Sequence, residues 1–297
     1  MTTESTHVGG HSYRLSREIA LWLAITCILA AAIGYSWNPT PFAQALAATF
    51  IGCALLHGAF LYGLRAVLVL FIISVTITFA VENMGTATGF PFGHYHFEVG
   101  GRLPHVGSIP IIVGPLWFGA GYFSWVVASI LLDSADQRLD RPMNVITLPI
   151  VAAFVMTQWD LVTDPPESTI SKAWIWHDGG ADFGVPLSNY LGWLFTSWLF
   201  YQAFVLYLRH STVGRLQDTQ QKRKLLLIAI FFYVSAGLTH VVPWLAGNSG
   251  EVADAAGHVW QIHDLRETTV AVMLFTMFFT AMLAVLRLMK EHFSARL

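Results

Sequence analysis

Eight apolar runs separated by short polar segments organise the sequence. The runs are Ile19–Tyr35, Pro41–Tyr62, Arg65–Glu82, Ile109–Leu132, Pro142–Val162, Val185–Leu208, Arg223–Ala246 and Thr268–Met289. Each is close to the roughly 20 residues that an α-helix needs to cross the hydrocarbon core of a bilayer. The pattern predicts an all-α fold, a polytopic transmembrane helical bundle of about eight spans. A polar N-terminal tail (1–18) precedes the single helical domain (19–289), and a C-terminal tail (290–297) follows it.

The first apolar run has a second interpretation. Its Ala30-Ala31-Ala32 sequence fits a signal-peptidase site after a short apolar region. The run continues to Tyr35, however, which favours a spanning helix. Cleavage would leave seven spans with the same topology.

The basic residues indicate how the bundle is oriented. With both termini cytoplasmic, the inside segments carry thirteen Lys and Arg residues and the outside segments carry three, Arg102, Lys172 and Arg266. Positive charge accumulates on the cytoplasmic side of membrane proteins, so this asymmetry predicts two cytoplasmic termini. We therefore expect a multi-pass protein of the cell membrane, with the lipid bilayer as its surroundings.

Composition supports the membrane assignment and excludes other classes. The chain is 55% hydrophobic and 11% charged, whereas an average soluble domain has about 25% charged residues. A net charge of −2 gives no basis for nucleic-acid binding. Cys27 and Cys53 both lie inside apolar runs and suggest neither a disulfide nor a metal framework.

Four ionisable residues lie near the predicted outer ends of three spans. Glu82 ends the third span, with Gly85 as its expected cap. Asp160 and Asp164 are spaced i, i+4 on the fifth span, and His240 lies near the end of the seventh. Because a residue before proline is disfavoured in the helical region, we expect Asp164 to end its helix and point to the rim. Asp160 is then the deeper carboxyl.

Buried carboxyl groups beside aromatic rings indicate acid chemistry. Burial and a second carboxylate both favour the protonated form of a carboxyl group, which can then donate a proton. Aromatic faces stabilise a developing cation. The aromatic candidates on this side are Phe92, Tyr95, Trp117, Trp159, Trp174, Trp176, Trp193 and Trp244. The pattern favours protonation of a lipophilic, electron-rich substrate such as an alkene.

The outer histidines offer a different chemistry. His94 and His96 are two residues apart, and His177 lies in the next long outer loop. A set of imidazoles could bind iron or zinc, but the close ligand spacing of known membrane metalloenzymes is missing. Neutral imidazole also orients water and transfers protons. A histidine-dependent membrane metalloenzyme acting on a lipophilic substrate therefore remains an alternative.

Short motifs between about residues 80 and 195 carry a family resemblance. The motifs are Glu82-x-x-Gly85, Gly89-x-Pro91-Phe92-Gly93-x-Tyr95, the Pro110–Trp117 stretch, Asp160-x-x-x-Asp164-Pro165 and Gly184-Val185-Pro186-Leu187-x-Asn189-Tyr190-x-Gly192-Trp193. Together they resemble the carotenoid biosynthesis membrane proteins that include bisanhydrobacterioruberin hydratase and gamma-carotene 1,2-hydratase. Phe97 and Phe183 stand where many members of that family would be expected to have tyrosine.

The resemblance implies a hydratase that needs no cofactor. Such a lyase adds water to the terminal isopropylidene double bond of an acyclic carotenoid end group. Its partners would be the polyene substrate and water, with other carotenoid biosynthesis enzymes as candidate partners. Protonation of the less substituted carbon gives a tertiary cation, which water captures.

Depth, spacing and motif together suggest roles for individual residues. We expect Asp160 to be the general acid, and Asp164 or Glu82 to tune it or to activate water. The candidates for binding substrate or water are His94, Tyr95, His96, Trp117, Trp159, Trp176, His177, Asn189, Trp193 and His240.

A transporter of lipids or small molecules is the non-enzymatic alternative. A transport path would need polar residues through the inner half of the spans, where the sequence has few beyond His57 and Gln202.

Overall fold

The described structure covers most of the predicted bundle. It is a computed structural model that describes residues 39–99, 103–211, 219–247 and 249–294, together with Ile19, Leu23, Ile25 and Thr26. The predicted first span, its possible cleavage site and the N-terminal tail therefore lie almost wholly outside the described residues. The count of eight spans and the orientation stay predictions.

Helices form most of the described chain. They are α1 (Pro39–Leu61), α2 (Leu64–Thr88), α3 (Val113–Leu131), α4 (Pro142–Asp164), α5 (Leu187–His210), α6 (Thr219–Leu238), α7 (Val241–Leu245), α8 (Ile262–Met273) and α9 (Phe279–Ser294). A 3₁₀ turn spans Ala135–Gln137, and π turns extend α4 over Pro165–Ile170 and join α8 to α9 over Leu274–Phe278. In the described part of the chain, six helical segments are long and apolar enough to cross a membrane. The predicted all-α membrane fold is thus confirmed.

The last three predicted spans have different limits in the structure. Helix α5 runs from Leu187 to His210, two residues later than expected at each end. The predicted seventh span is divided between α6 and α7. The eighth begins at Ile262 and continues to Ser294, into the segment predicted as a tail.

Four helices surround the functional region. Helix α2 packs on α3 and on α5, and α4 packs on the other sides of the same two helices. The four therefore form a ring in which α2 and α4 face each other diagonally. We call the end of this ring at which α2 and α4 terminate the cavity end.

Short antiparallel strands cover the cavity end. Strand β1 (Tyr95–Phe97) pairs with β4 (Trp174–Trp176), and Tyr95 lies opposite Trp176. Strands β2 (His105–Val106) and β3 (Ile109–Pro110) form a second pair, and β5 (Glu251–Ala253) and β6 (Val259–Gln261) form a third. Ile109 therefore belongs to a strand, and the predicted fourth span begins as a helix only at Val113.

The expected end of α2 was wrong, whereas α4 ends at Asp164 as expected but is extended by a π turn. Helix α2 continues past Glu82 and Gly85 to Thr88, and the cap is Gly89, whose φ of 79° suits glycine. Asp164 keeps helical backbone angles, and the chain continues through two prolines in the wider π register, in which Ser171 N–H donates to the Pro166 carbonyl. The Ser168 hydroxyl donates to the Asp164 carbonyl at 2.8 Å. This bond occupies an acceptor at the point where the helix changes register.

Candidate functional site

A cavity of about 280 Å³ lies inside the four-helix ring at the cavity end. Its lining is aromatic and aliphatic apart from Thr163, the three carboxyl groups and one amide. The lining residues are Phe50, Glu82, Phe92, Tyr95, Phe97, Val113, Leu116, Trp117, Ala120, Trp159, Asp160, Thr163, Asp164, Trp174, Trp176, Asn189 and Trp193. Nine of the thirteen residues predicted for the site are in this set.

Helices α4 and α5 bring the aspartates and Asn189 together. The i, i+4 spacing places Asp160 and Asp164 on one face of α4. The Asn189 side-chain N–H₂ donates to Asp160 Oδ2 at 2.6 Å and to Asp164 Oδ2 at 2.5 Å. All three residues are buried. The amide thus bridges two carboxyl groups that would otherwise repel each other.

Asp164 has more hydrogen-bond donors than Asp160. Trp174 Nε1 donates to Asp164 Oδ1 at 2.5 Å, and Trp176 Nε1 donates to the same oxygen at 3.3 Å. With Asn189, Asp164 accepts three N–H bonds, whereas the structure gives Asp160 the bond from Asn189. The expectation that Asp164 points to the rim was wrong, because the chain continues beyond α4 as a π turn and Asp164 is 1% exposed.

Glu82 occupies the opposite wall, on α2. The Tyr95 hydroxyl donates to Glu82 Oε2, and the Trp117 indole is also a hydrogen-bond donor to this carboxyl group. Burial, followed by the adjacent Glu82 charge, raises the pKa of the Tyr95 hydroxyl. The phenol therefore stays protonated and donates to Glu82.

The β1–β4 ribbon presents one aromatic face to the cavity. Side chains alternate across a strand, so Tyr95 and Phe97 share a face, and Trp174 and Trp176 lie on the partner strand. The Tyr95 and Trp176 rings lie 4.8 Å apart, and Phe97 and Trp174 lie 6.2 Å apart. Deeper in the cavity, Trp117 and Trp193 stack at 3.9 Å. The ribbon thus supplies both a hydrophobic wall and the indole donors to Asp164.

The same alternation turns the predicted histidines away from the cavity. His94 Nδ1 lies 3.1 Å from an Asp178 oxygen, and His96 Nδ1 lies 2.6 Å from His177 Nε2, all on the exposed face of the ribbon. His240 lies at the break between α6 and α7 and does not line the cavity. Among the residues that the structure describes, no three His, Cys, Asp or Glu side chains are arranged to hold a metal ion.

Asp182 is a fourth carboxyl group near the site that the sequence did not indicate. It accepts a hydrogen bond from the Tyr190 hydroxyl at 2.5 Å. Burial raises the pKa of the Asp182 carboxyl, and the bond from Tyr190 partly opposes this. Its charge contributes to the electrostatic surroundings of Asp160 and Asp164.

Phe92 fixes the position of the residues around Glu82. Its ring fits between α2 and α5 at two glycines. A Cβ atom added to Gly85 would lie 2.7 Å from Phe92 Cδ2, and one added to Gly192 would lie 2.4 Å from Cδ1. The ring also contacts Tyr95 and Trp117, both of which hydrogen-bond to Glu82. The two glycines therefore permit the packing that holds the carboxyl group in place.

We expect Gly192→Ala to destabilise the protein by about 1–3 kcal/mol, because an added methyl group overpacks this contact. Thermal unfolding of the purified protein in detergent measures the effect. Gly52→Ala is the matched control, since nothing lies within 4 Å of a Cβ atom at that position. Equal stability of the two variants would contradict this role of Phe92.

Comparison with known proteins gives one match. The sequence matches the family described as carotenoid biosynthesis protein over residues 41–255, which include every residue that lines the cavity. The comparisons with curated proteins and with solved structures gave no significant match.

Proposed function

The chain belongs to the carotenoid biosynthesis protein family, and on that premise we propose that it is a carotenoid hydratase. It adds water to the terminal isopropylidene double bond of an acyclic carotenoid and forms a tertiary alcohol, without a cofactor. One observation carries the proposal: three buried carboxyl groups face an otherwise apolar, aromatic cavity from opposite walls. Acid and base groups in a mainly aromatic cavity suit protonation of an alkene and capture of the cation by water.

Asp160 is the proposed proton donor. A carboxylate that accepts several N–H bonds is favoured in its ionised form, and this describes Asp164, which accepts three. Of two adjacent carboxyl groups, one is favoured in the protonated form, and Asp160 with its single amide donor suits that state. Asp160 gives its proton to the less substituted alkene carbon, and a C–H bond forms.

The cation is stabilised by charge and by aromatic faces. The tertiary cation lies between the Asp164 carboxylate and the rings of the cavity wall, including the stacked Trp117 and Trp193. Aromatic faces attract cations, and preorganised negative charge is effective in an apolar site. Asn189 holds the acid and the stabilising carboxylate in fixed relation to each other.

Glu82 is the proposed base for water. Glu82 faces the two aspartates from the opposite side of the four-helix ring, and the Tyr95 hydroxyl orients its carboxyl group. A water molecule between Glu82 and the cation forms the C–O bond and gives a proton to Glu82. Return of that proton to Asp160 through solvent restores the enzyme, so the reaction consumes one water and no net proton.

The indole donors Trp174 and Trp176 test whether Asp164 acts as the ionised carboxylate, because their hydrogen bonds to it differ in length. We expect Trp174→Phe to lower kcat/KM about tenfold or more, because a hydrogen bond to a charged group is worth roughly 1.5–3 kcal/mol. Trp176→Phe makes the same chemical change at a longer bond and should have the smaller effect. Steady-state rates of both variants measure this order, and the reverse order would contradict the assignment.

Expression in a host that makes an acyclic carotenoid tests the proposal as a whole. We expect the pigment extract to contain the tertiary alcohol at one or both ends. An unchanged acyclic carotenoid, with the protein present in the membrane fraction, would contradict it.

A further inference from the structure

The cavity is too small for a whole carotenoid, so its inner end limits how much of the substrate can enter. A dry protein cavity of about 150 Å³ is enough to hold benzene. At about 280 Å³, this cavity has room for roughly a dozen carbon atoms. A polyene would therefore insert one end, and whatever closes the inner end sets how far the end group enters.

Three side chains close the inner end. Along α3, the lining residues descend in successive turns from Val113 to Ala120, which lies farthest from the cavity end. Along α4, Trp159 is the first lining residue met from the opposite end of the bundle. Phe50 of α1 lies against Trp159, with ring centroids 5.2 Å apart. We call Phe50, Ala120 and Trp159 the floor.

Phe50 is held firmly in the floor. A Cβ atom on Gly119 would lie 2.7 Å from Phe50 Cε1, so the ring occupies space that this glycine leaves free. Behind it, Phe123 lies 5.3 Å from Phe50 and stacks on Phe232 at 4.9 Å. Phe123 and Phe232 are fully buried, so the ring rests on packed core.

From this geometry we infer that Phe50 is a specificity-determining residue that sets the depth of the end group. The inference rests on the proposed hydratase function. Asp160 directly follows Trp159 in the chain, so the floor and the proton donor lie at adjacent levels. An end group whose terminal methyl groups touch Phe50 presents its terminal double bond to Asp160. Longer or bulkier end groups are stopped too early, and their double bond is displaced from the acid.

An enlarged substrate paired with an enlarged cavity tests this inference. The substrate analogue is an acyclic carotenoid whose two terminal methyl groups are replaced by ethyl groups. We expect the wild-type protein to prefer the natural end group at least tenfold in kcat/KM, since one methylene in a fitted apolar pocket changes rates about 10- to 200-fold. Phe50→Leu should reduce this preference at least tenfold by making room beneath the end group.

Phe204→Leu is the matched control. It makes the same change elsewhere in the buried core, at a ring that packs on Trp125 and does not line the cavity. Its preference should equal that of the wild-type protein. Phe50→Met enlarges the cavity by about as much as Phe50→Leu, because Met and Leu have similar volumes, and its flexible side chain provides a second variant if Phe50→Leu unfolds. No wild-type preference, an unchanged preference in both Phe50 variants, or an equal change in Phe204→Leu would overturn the inference.

Binding separates this inference from the proposed reaction. Saturated-end analogues of both substrates carry a polyene that quenches tryptophan fluorescence, which gives their dissociation constants without turnover. Suppose that the wild-type protein forms no alcohol, and that Phe50→Leu but not the control variant weakens the preference for binding the natural end group. The hydratase proposal then fails, and the role of Phe50 in setting the depth of the end group stands. If alcohol forms and the preference does not follow Phe50, only the depth role fails.

Discussion

Replacing Asp160 with asparagine is expected to lower hydration by about 10²- to 10⁴-fold, which is the usual contribution of a general acid. The amide has nearly the same shape as the carboxyl group but carries no acidic proton for the alkene. Rates of alcohol formation by the purified variant, with protein quantity checked by absorbance, measure the loss.

Asp178→Asn is the control for this prediction. It makes the same change on the exposed face of the ribbon, where Asp178 contacts His94 and not the cavity. We expect wild-type activity from it. A normal rate in Asp160→Asn would remove Asp160 from the reaction, and a comparable loss in Asp178→Asn would show that the effect is indirect.

Replacing Glu82 with glutamine is expected to separate protonation from water capture. Alcohol formation should fall about 10²-fold or more, because the base for water is gone. Asp160 still protonates the alkene, and the cation then loses a proton and returns to substrate. In D₂O the variant should therefore place deuterium in recovered substrate near its terminal double bond, which mass spectrometry detects.

The Asp160→Asn protein is the comparison for this second prediction. It cannot form the cation, so its recovered substrate should contain no deuterium. Deuterium uptake by Asp160→Asn, or none by Glu82→Gln with alcohol lost, would contradict the division of roles between the two walls.

The positions of the carboxyl groups could be predicted because a buried charge is costly. Glu82 and Asp160 stand out in apolar runs, where an ionisable residue needs a cavity or a partner. Asn189 was identified through the motif, and the structure places its amide between the two aspartates. These positions depend on helix periodicity and burial, both of which can be predicted from the pattern of apolar residues.

Asp164 and the histidines could not be placed in the same way. The rule for a residue before proline describes local backbone preference, and here the π turn and the Ser168 hydroxyl keep Asp164 in the wall. The alternation of Tyr95 and Phe97 with His94 and His96 would have predicted two faces, had this segment been recognised as a strand. Strand β1 is only three residues long, and its partner lies far away in the sequence.

Phe50 shows a further limit of sequence reasoning. It is an apolar residue inside an apolar run, so nothing in its local pattern separates it from a lipid-facing side chain. Its place in the floor depends on the free space at Gly119 and on the ring of Trp159, which are contributed by two other helices.

Labelled water tests the central claim most directly. Purified protein incubated with an acyclic carotenoid in water labelled with both deuterium and heavy oxygen should yield a tertiary alcohol. Its hydroxyl oxygen should come from the labelled water, and one non-exchangeable deuterium should lie on the carbon next to the alcohol carbon. An unlabelled hydroxyl oxygen, or recovery of the carotenoid without alcohol from folded protein, would contradict the proposed hydration.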